Sequence, residues 1–357
     1  MTPAQEQALL PVARQNLKAS LERIPPARRE AYDEAMEKAP HLVQVESPPD
    51  RFLRALKFDP DATAESLVRY WHKRKELFGP KRAFRSMTIT GRGALTKEHV
   101  YSALCGAFCI MPPDKHQRPI LFIDRAKFLT DAEDPSHRVQ VMFYFLHLLF
   151  LESDLAIQHG FVICISMDSE HSSKAFDFPK NQSSLIEHLK AEAIPMQIKA
   201  IHLILLKKST FYEQSIPKWF KLFEDTWRRL AMRVIAHVVH SRLEILLGLN
   251  AYGISDVNIP KELNNQVDLD AVGKWHAERL EIELERYRFF PLATASLDDD
   301  DDSYDDDDDY DDEDEDDDEQ EDSKMAAKTN GTEAEKDEDA KEPSNSSSKK
   351  QKLDPDA

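Results

Sequence analysis

Glycine and cysteine are both scarce in this chain, nine and three in 357 residues. Arg92 sits between Gly91 and Gly93, but no third glycine follows at the dinucleotide spacing, and no Gly-Lys-Ser/Thr occurs. A backbone cradle for nucleotide phosphates is therefore not expected. Cys105, Cys109 and Cys164 are odd in number and form no Cys-x-x-Cys. They read as reduced core thiols of a cytosolic or nuclear protein. Long apolar runs are also missing. The longest, Val141–Leu151, is interrupted by His147 and falls far short of the roughly 20 residues a spanning helix needs. Met1–Leu10 lacks a basic stretch followed by an apolar run, so no secretory signal is expected there.

Acidic charge is abundant, but only at one end. The formal net charge is −19. Asp298–Ala357 holds 29 acids and 7 bases, a net of −22, and the preceding 297 residues hold 37 acids and 40 bases, a net of +3. A mildly basic body thus carries a polyanionic tail. With nine residues of the hydrophobic set in sixty, the tail cannot offset its own ordering entropy and is expected to be disordered.

Four segments follow. Residues 1–90 read as a helical unit. Leu9, Leu17, Leu21, Tyr32 and Met36 recur at roughly helical intervals, broken at Pro25-Pro26. Pro48-Pro49-Asp50 starts a helix with Asp50 as its cap and Phe52, Leu53, Leu56 and Phe58 as its apolar face. Ala64 to Phe78 is a further helix that stops at Gly79-Pro80. Residues 91–267 alternate. Pro119–Asp124, Gly160–Asp168, Ile201–Leu206 and Val234–Val239 read as strands. Arg138–Leu155 reads as a buried helix, Asn181–Glu192 as a helix and Trp219–Trp227 as an amphipathic one. This alternation predicts an α/β fold, a sheet covered by helices. Residues 268–290 hold a last helix, Asp270–Tyr287, and 291–357 form the tail.

Several of these residues resemble one family in its own motif order. Arg51-Phe52-Leu53-Arg54-Ala55-Leu56-Lys57-Phe58-Asp59 is similar to the signature of the CRAL-TRIO lipid-binding proteins. Lys73–Gly79 resembles the close of that family's N-terminal helical part, and Asp114–Pro119 its D-x-x-x-R-P entry to the sheet. Ile165–Asp168, Pro195–Leu206 and Ile259–Glu262 resemble later motifs, so the likeness runs from about Pro49 to Val267. The resemblance implies a mixed sheet flooring an apolar pocket, closed by a gate helix that opens at a membrane. The function it implies is binding of a lipid or other hydrophobic small molecule and its carriage or presentation, without catalysis or cofactor. Pocket and gate would be lined by Phe145, Leu149, Cys164, Ile165, Met167, Ile204, Leu206, Phe211, Trp219, Phe220 and Phe223.

From spacing alone, the aromatic face of Gln214–Trp227 fits a core helix as well as a gate. Lys199–Arg242 carries nine bases and three acids. Lys207, Lys208, Lys218, Lys221, Arg228, Arg229 and Arg233 suit transient docking on an anionic membrane, or simply a solvated face. Nucleic acid is a poorer partner, since these bases are not interleaved with aromatics on a recognised binding fold. Members that transfer phosphatidylinositol place Glu after the Tyr-Pro motif, where this chain has Met196 after Pro195, and they carry hydroxyls on the strand that reads Val162–Ile165 here. A more apolar ligand is expected, because an inositol ring against an apolar wall leaves hydroxyls unsatisfied.

Other chemistries have weaker signals. Ser166, Asp168 and His171 lie near one another, but no Gly-x-Ser-x-Gly elbow exists. His237, His240 and Glu244 could share a helix face around zinc, or His237 ends a strand and His240 begins the next helix. The tail supplies an alternative function. Its acid tract with Lys349-Lys350-Gln351-Lys352, a basic cluster of nuclear-import type, also fits a cytosolic or nuclear scaffold binding histones or other basic proteins. The expected location is the cytoplasm, peripheral at membranes, or the nucleus.

Overall fold

A computed structural model of the chain describes residues 3–127, 135–168, 193–206, 233–261 and 268–288. All fall in one compact unit, Met1–Asp299. The expected helices at 181–192 and 219–227, and the acidic tail, lie outside the described residues.

Proline punctuates the helical part. Helices α1 (Pro3–Arg23), α2 (Pro26–Lys38), α3 (Pro40–Val45), α4 (Pro49–Ala55) and α5 (Pro60–Arg82) each begin on one, where the missing N–H costs nothing and φ is preset. Asp59 caps α5, its carboxylate accepting from the Asp61 and Ala62 N–H groups at 3.0 Å. Gly79, at φ 71°, kinks α5 ahead of Pro80, where the sequence predicts the stop. Two details differ from expectation. Asp50 is not a cap: it lies in the first turn of α4 and accepts from Arg14 Nε at 2.7 Å. Phe58 is not helical either, because Lys57 and Phe58 both take positive φ (56° and 65°). The Phe58 N–H closes the turn on the Leu53 carbonyl at 2.7 Å.

After α6 (Lys97–Leu104), the chain forms β1 (Phe108–Met111) and β2 (Ile120–Asp124), then α7 (Pro135–Glu152), α8 (Asp154–His159), β3 (Phe161–Asp168), β4 (Ile198–Leu206), β5 (Arg233–Val239), α9 (Arg242–Asn250) and α10 (Leu269–Arg286). The single buried helix expected over Arg138–Leu155 is two, because the Ser153 hydroxyl accepts the Ala156 N–H at 3.1 Å and starts α8. The described sheet has the order β1-β2-β3-β4-β5, antiparallel at β1–β2 and parallel thereafter. An α/β fold built on a mixed sheet is thus the observed architecture.

Strand alternation gives this sheet two different faces. On one, Leu121, Ile123, Phe161, Ile163, Ile201, Leu203 and Leu205 join α7 and the helical part in one core. On the other, Ile120, Phe122, Val162, Cys164, Ala200, Ile204 and Val239 pack under Ile245 and Leu249 of α9, with Ile254 and Ile259. The helical part and the sheet are therefore not separate bodies. Phe52 of α4 meets Phe150 of α7 edge-on at 4.9 Å, and the Tyr70 hydroxyl lies 3.1 Å from His147 Nδ1. Among the described residues no helix is long and apolar enough to cross a membrane.

Candidate functional site

The residues expected to line one pocket divide between the two faces. Ile165 lies half-buried on the α7 face, whereas Cys164 and Ile204 are fully buried on the α9 face. Adjacent strand residues point to opposite sides, so Cys164 and Ile165 cannot floor the same cavity. Phe145 is committed to packing: it is the middle of three stacked rings, 5.5 Å from Phe108 and 5.5 Å from Trp275 of α10. Leu149 is buried in the same core. Met167 and Leu206 belong to strands, but their side chains lie outside the described residues. So do Phe211, Trp219, Phe220 and Phe223, and the cations Lys207, Lys208, Lys218, Lys221, Arg228 and Arg229. Arg233 is described, exposed at the start of β5.

The α7 face holds an apolar crevice that the sequence reading missed. Phe143 and Leu146 of α7 face Phe161 and Ile198 at the starts of β3 and β4, with Ala193, Ile194 and Met196 closing one side. Its free volume of about 30 Å³ has room for about one water. Helix α7 is apolar around most of its circumference, so no periodicity in Val141–Leu151 singles out Phe143 and Leu146 over Phe145. Gly160 immediately precedes Phe161 of the crevice wall. Its φ is 74°, and a Cβ there would lie 2.4 Å from the Gln197 carbonyl oxygen. That carbonyl accepts the Phe161 N–H at 2.9 Å, locking the start of β3 to the start of β4. Toward β5 the same face stays apolar, with Val234 and Ala236 half-buried.

The α9 face is polar at its centre. His202 Nδ1 and His237 Nε2 are 2.9 Å apart, their rings stacked at 5.2 Å, and Tyr252 covers both edge-on. A Cβ on Gly248 of α9 would lie 2.9 Å from His237 Nδ1, so the helix rides directly on this imidazole. Burial, and then the neighbouring His237, push His202 down to about 4, and burial lowers His237 as well. Both rings are therefore neutral at pH 7, one donating and one accepting. His202 Nε2 and the Ser166 hydroxyl are buried without a hydrogen-bond partner among the described residues.

These placements bear on the catalytic and metal expectations. Ser166 is buried in register with Asp124, whose carboxylate lies 3.7 Å from Lys127 Nζ; His171 lies outside the described residues. His237 faces His202, whereas His240 is exposed and its N–H bonds Glu244 at 2.9 Å. Among the described residues no three such groups converge on a metal position. The three cysteines are free thiols, and burial pushes Cys109 up to about 11 and raises Cys164 further.

The histidine pair makes stability acid-sensitive. Because the folded His202 is held near 4 against its ordinary 6.5, its contribution to stability is complete above pH 6.5. As pH falls toward 4, the unfolded chain binds a proton that the folded one refuses. This residue's own contribution, about 3 kcal/mol, is expected to be lost across that window. Urea unfolding at a series of pH values measures it, and His202→Phe/His237→Phe is expected to flatten the slope.

Against known proteins, no family model matches this chain, and no curated protein matches it.

Proposed function

We propose that the chain binds a hydrophobic, lipid-like ligand on the α7 face of its sheet and carries or presents it at membranes, as its resemblance to the CRAL-TRIO lipid-binding proteins implies. The observation that carries this reading is the apolar character of that face among the described residues, from the crevice toward β5. Helix α7 packs toward the β1 side, with Phe145 stacked on Phe108. Leu203, Leu205, Val234 and Ala236 continue an apolar surface toward β5. The expected gate, Gln214–Trp227, belongs to the β4-to-β5 connection and lies outside the described residues. An apolar ligand laid on this surface gains about 25 cal/mol per Å² removed from water, with no need for catalytic groups.

Val234→Arg/Ala236→Arg tests the assignment, because both side chains are half-buried on that face. Binding of a fluorescent fatty-acid probe is expected to weaken at least about tenfold, since two cations placed on that face oppose an apolar ligand, while the far-UV circular dichroism stays unchanged. Equal probe affinity in variant and wild type would remove the ligand from this face. Tail-dependent capture of histones by a protein that binds no probe would favour the scaffold reading.

A further inference from the structure

The segment Lys81–Lys97 carries five bases, Lys81, Arg82, Arg85, Arg92 and Lys97, and no acid. Among the described residues none of the five forms an ion pair. The helices beside it behave differently: Arg14, Arg28, Arg54 and Lys75 each hold a carboxylate. Lys81, Arg92 and Lys97 are exposed, and Arg82 and Arg85 half-buried.

This cluster is displayed on a rigid frame. The Ala94 N–H bonds the Ser86 carbonyl at 2.8 Å, and Arg82 Nη1 bonds the Gly93 carbonyl at 3.0 Å. Buried carboxylates clamp the backbone from below, Glu46 on the Met87 N–H at 2.7 Å and Glu283 on the Ile89 N–H at 2.9 Å. Only glycine fits at position 93, where a Cβ would lie 2.1 Å from the Ser86 oxygen. A backbone held in this way needs little further ordering when the loop meets an anionic surface. Beside them, Tyr101 stands 70% exposed on α6, four residues after Lys97 and hence on the same side of that helix. Glu98 is the one exposed acid in this stretch of α6.

We propose that the Lys81–Lys97 segment, with Tyr101, docks the protein on an anionic bilayer. Cations at the phosphate level and a tyrosine ring at the headgroup boundary are the pairing such an interface selects. Single-stranded nucleic acid fits less well, because it needs a series of stacking platforms, and the nearby Phe84 is already stacked on Trp71 at 6.0 Å. The choice of a bilayer rests on the lipid-binding reading; the docking contact and the bound ligand are measured separately.

The test is co-sedimentation of the full chain with vesicles of phosphatidylcholine alone or with ~30 mol% phosphatidylserine, at low and at physiological salt. Wild type is expected to bind only the anionic vesicles, less at higher salt. Lys81→Glu/Arg92→Glu/Lys97→Glu is expected to weaken binding at least about tenfold, and Tyr101→Ala less. Lys18→Glu/Lys57→Glu, equally exposed charge changes elsewhere, is expected to bind as wild type. Undiminished binding by the triple variant, absence of wild-type binding, or tighter binding to an oligonucleotide than to vesicles would each overturn the proposal. Probe binding on the same samples shows whether the ligand assignment stands independently.

Discussion

Glu46→Ala is expected to lower stability by about 3–5 kcal/mol, the cost of leaving a buried charge without its partner. Glu46 and Arg74 are an ion pair with both side chains at 0% exposure. Glu46 also accepts the Met87 N–H at 2.7 Å and the Tyr287 hydroxyl. Arg74 reaches the Tyr70 hydroxyl at 3.2 Å and the Arg85 carbonyl, and its guanidinium lies 4.8 Å over the Trp71 ring. Removing the carboxylate strands the guanidinium and frees three groups from α5, the basic loop and the end of α10 together. Thermal unfolding should drop by roughly 10 °C. Glu46→Gln keeps the shape and some of the hydrogen bonds, so it should lose less; an equal loss in both variants would make the charge irrelevant.

Gly160→Ala is the second large effect, about 3 kcal/mol. Part is the cost of a side chain at φ 74°, which is of order 1–2 kcal/mol. The rest comes from the Gln197 carbonyl oxygen, 2.4 Å from the added Cβ, which must move although it accepts the Phe161 N–H. Backbone cannot yield as a flexible side chain can. The starts of β3 and β4 should separate, and with them Phe161 and Ile198 on the crevice wall. Denaturant unfolding measures the stability loss; a change under 1 kcal/mol would mean that this junction is soft. Alanine at Gly273, where nothing lies within 4 Å, is expected to be neutral or better in its helix.

What could be read from sequence tracks how each element is buried. Strands β2 to β4 are continuous apolar runs because both their faces are covered, and they stand out without any partner being known. Strand β1 was missed: it has four residues of mixed burial, Phe108 inside and Ile110 outside. Helix α6, eight residues long, also escaped notice, because its Thr96–His99 capping box has no Glu or Gln at the third position. Glu46 is unremarkable in sequence, since its partners lie 28, 41 and 241 residues away. The expected pocket lining departs from the structure at Cys164 and Ile204. Motif likeness groups apolar residues without regard to the strand period, and that period sends Cys164 and Ile204 to the face opposite Ile165. Phe145 and Phe143 cannot be told apart on a helix apolar nearly all round; the choice is made by Phe108 and Trp275.

The central claim, that this protein is a carrier of a hydrophobic ligand, is tested most directly by native mass spectrometry of the purified full-length chain, followed by organic extraction. Lipid binding predicts a discrete added mass that extraction recovers as one apolar lipid class, and that Val234→Arg/Ala236→Arg strips from an otherwise folded protein. A spectrum showing only the mass of the polypeptide, unchanged after incubation with a cellular lipid extract, would contradict it.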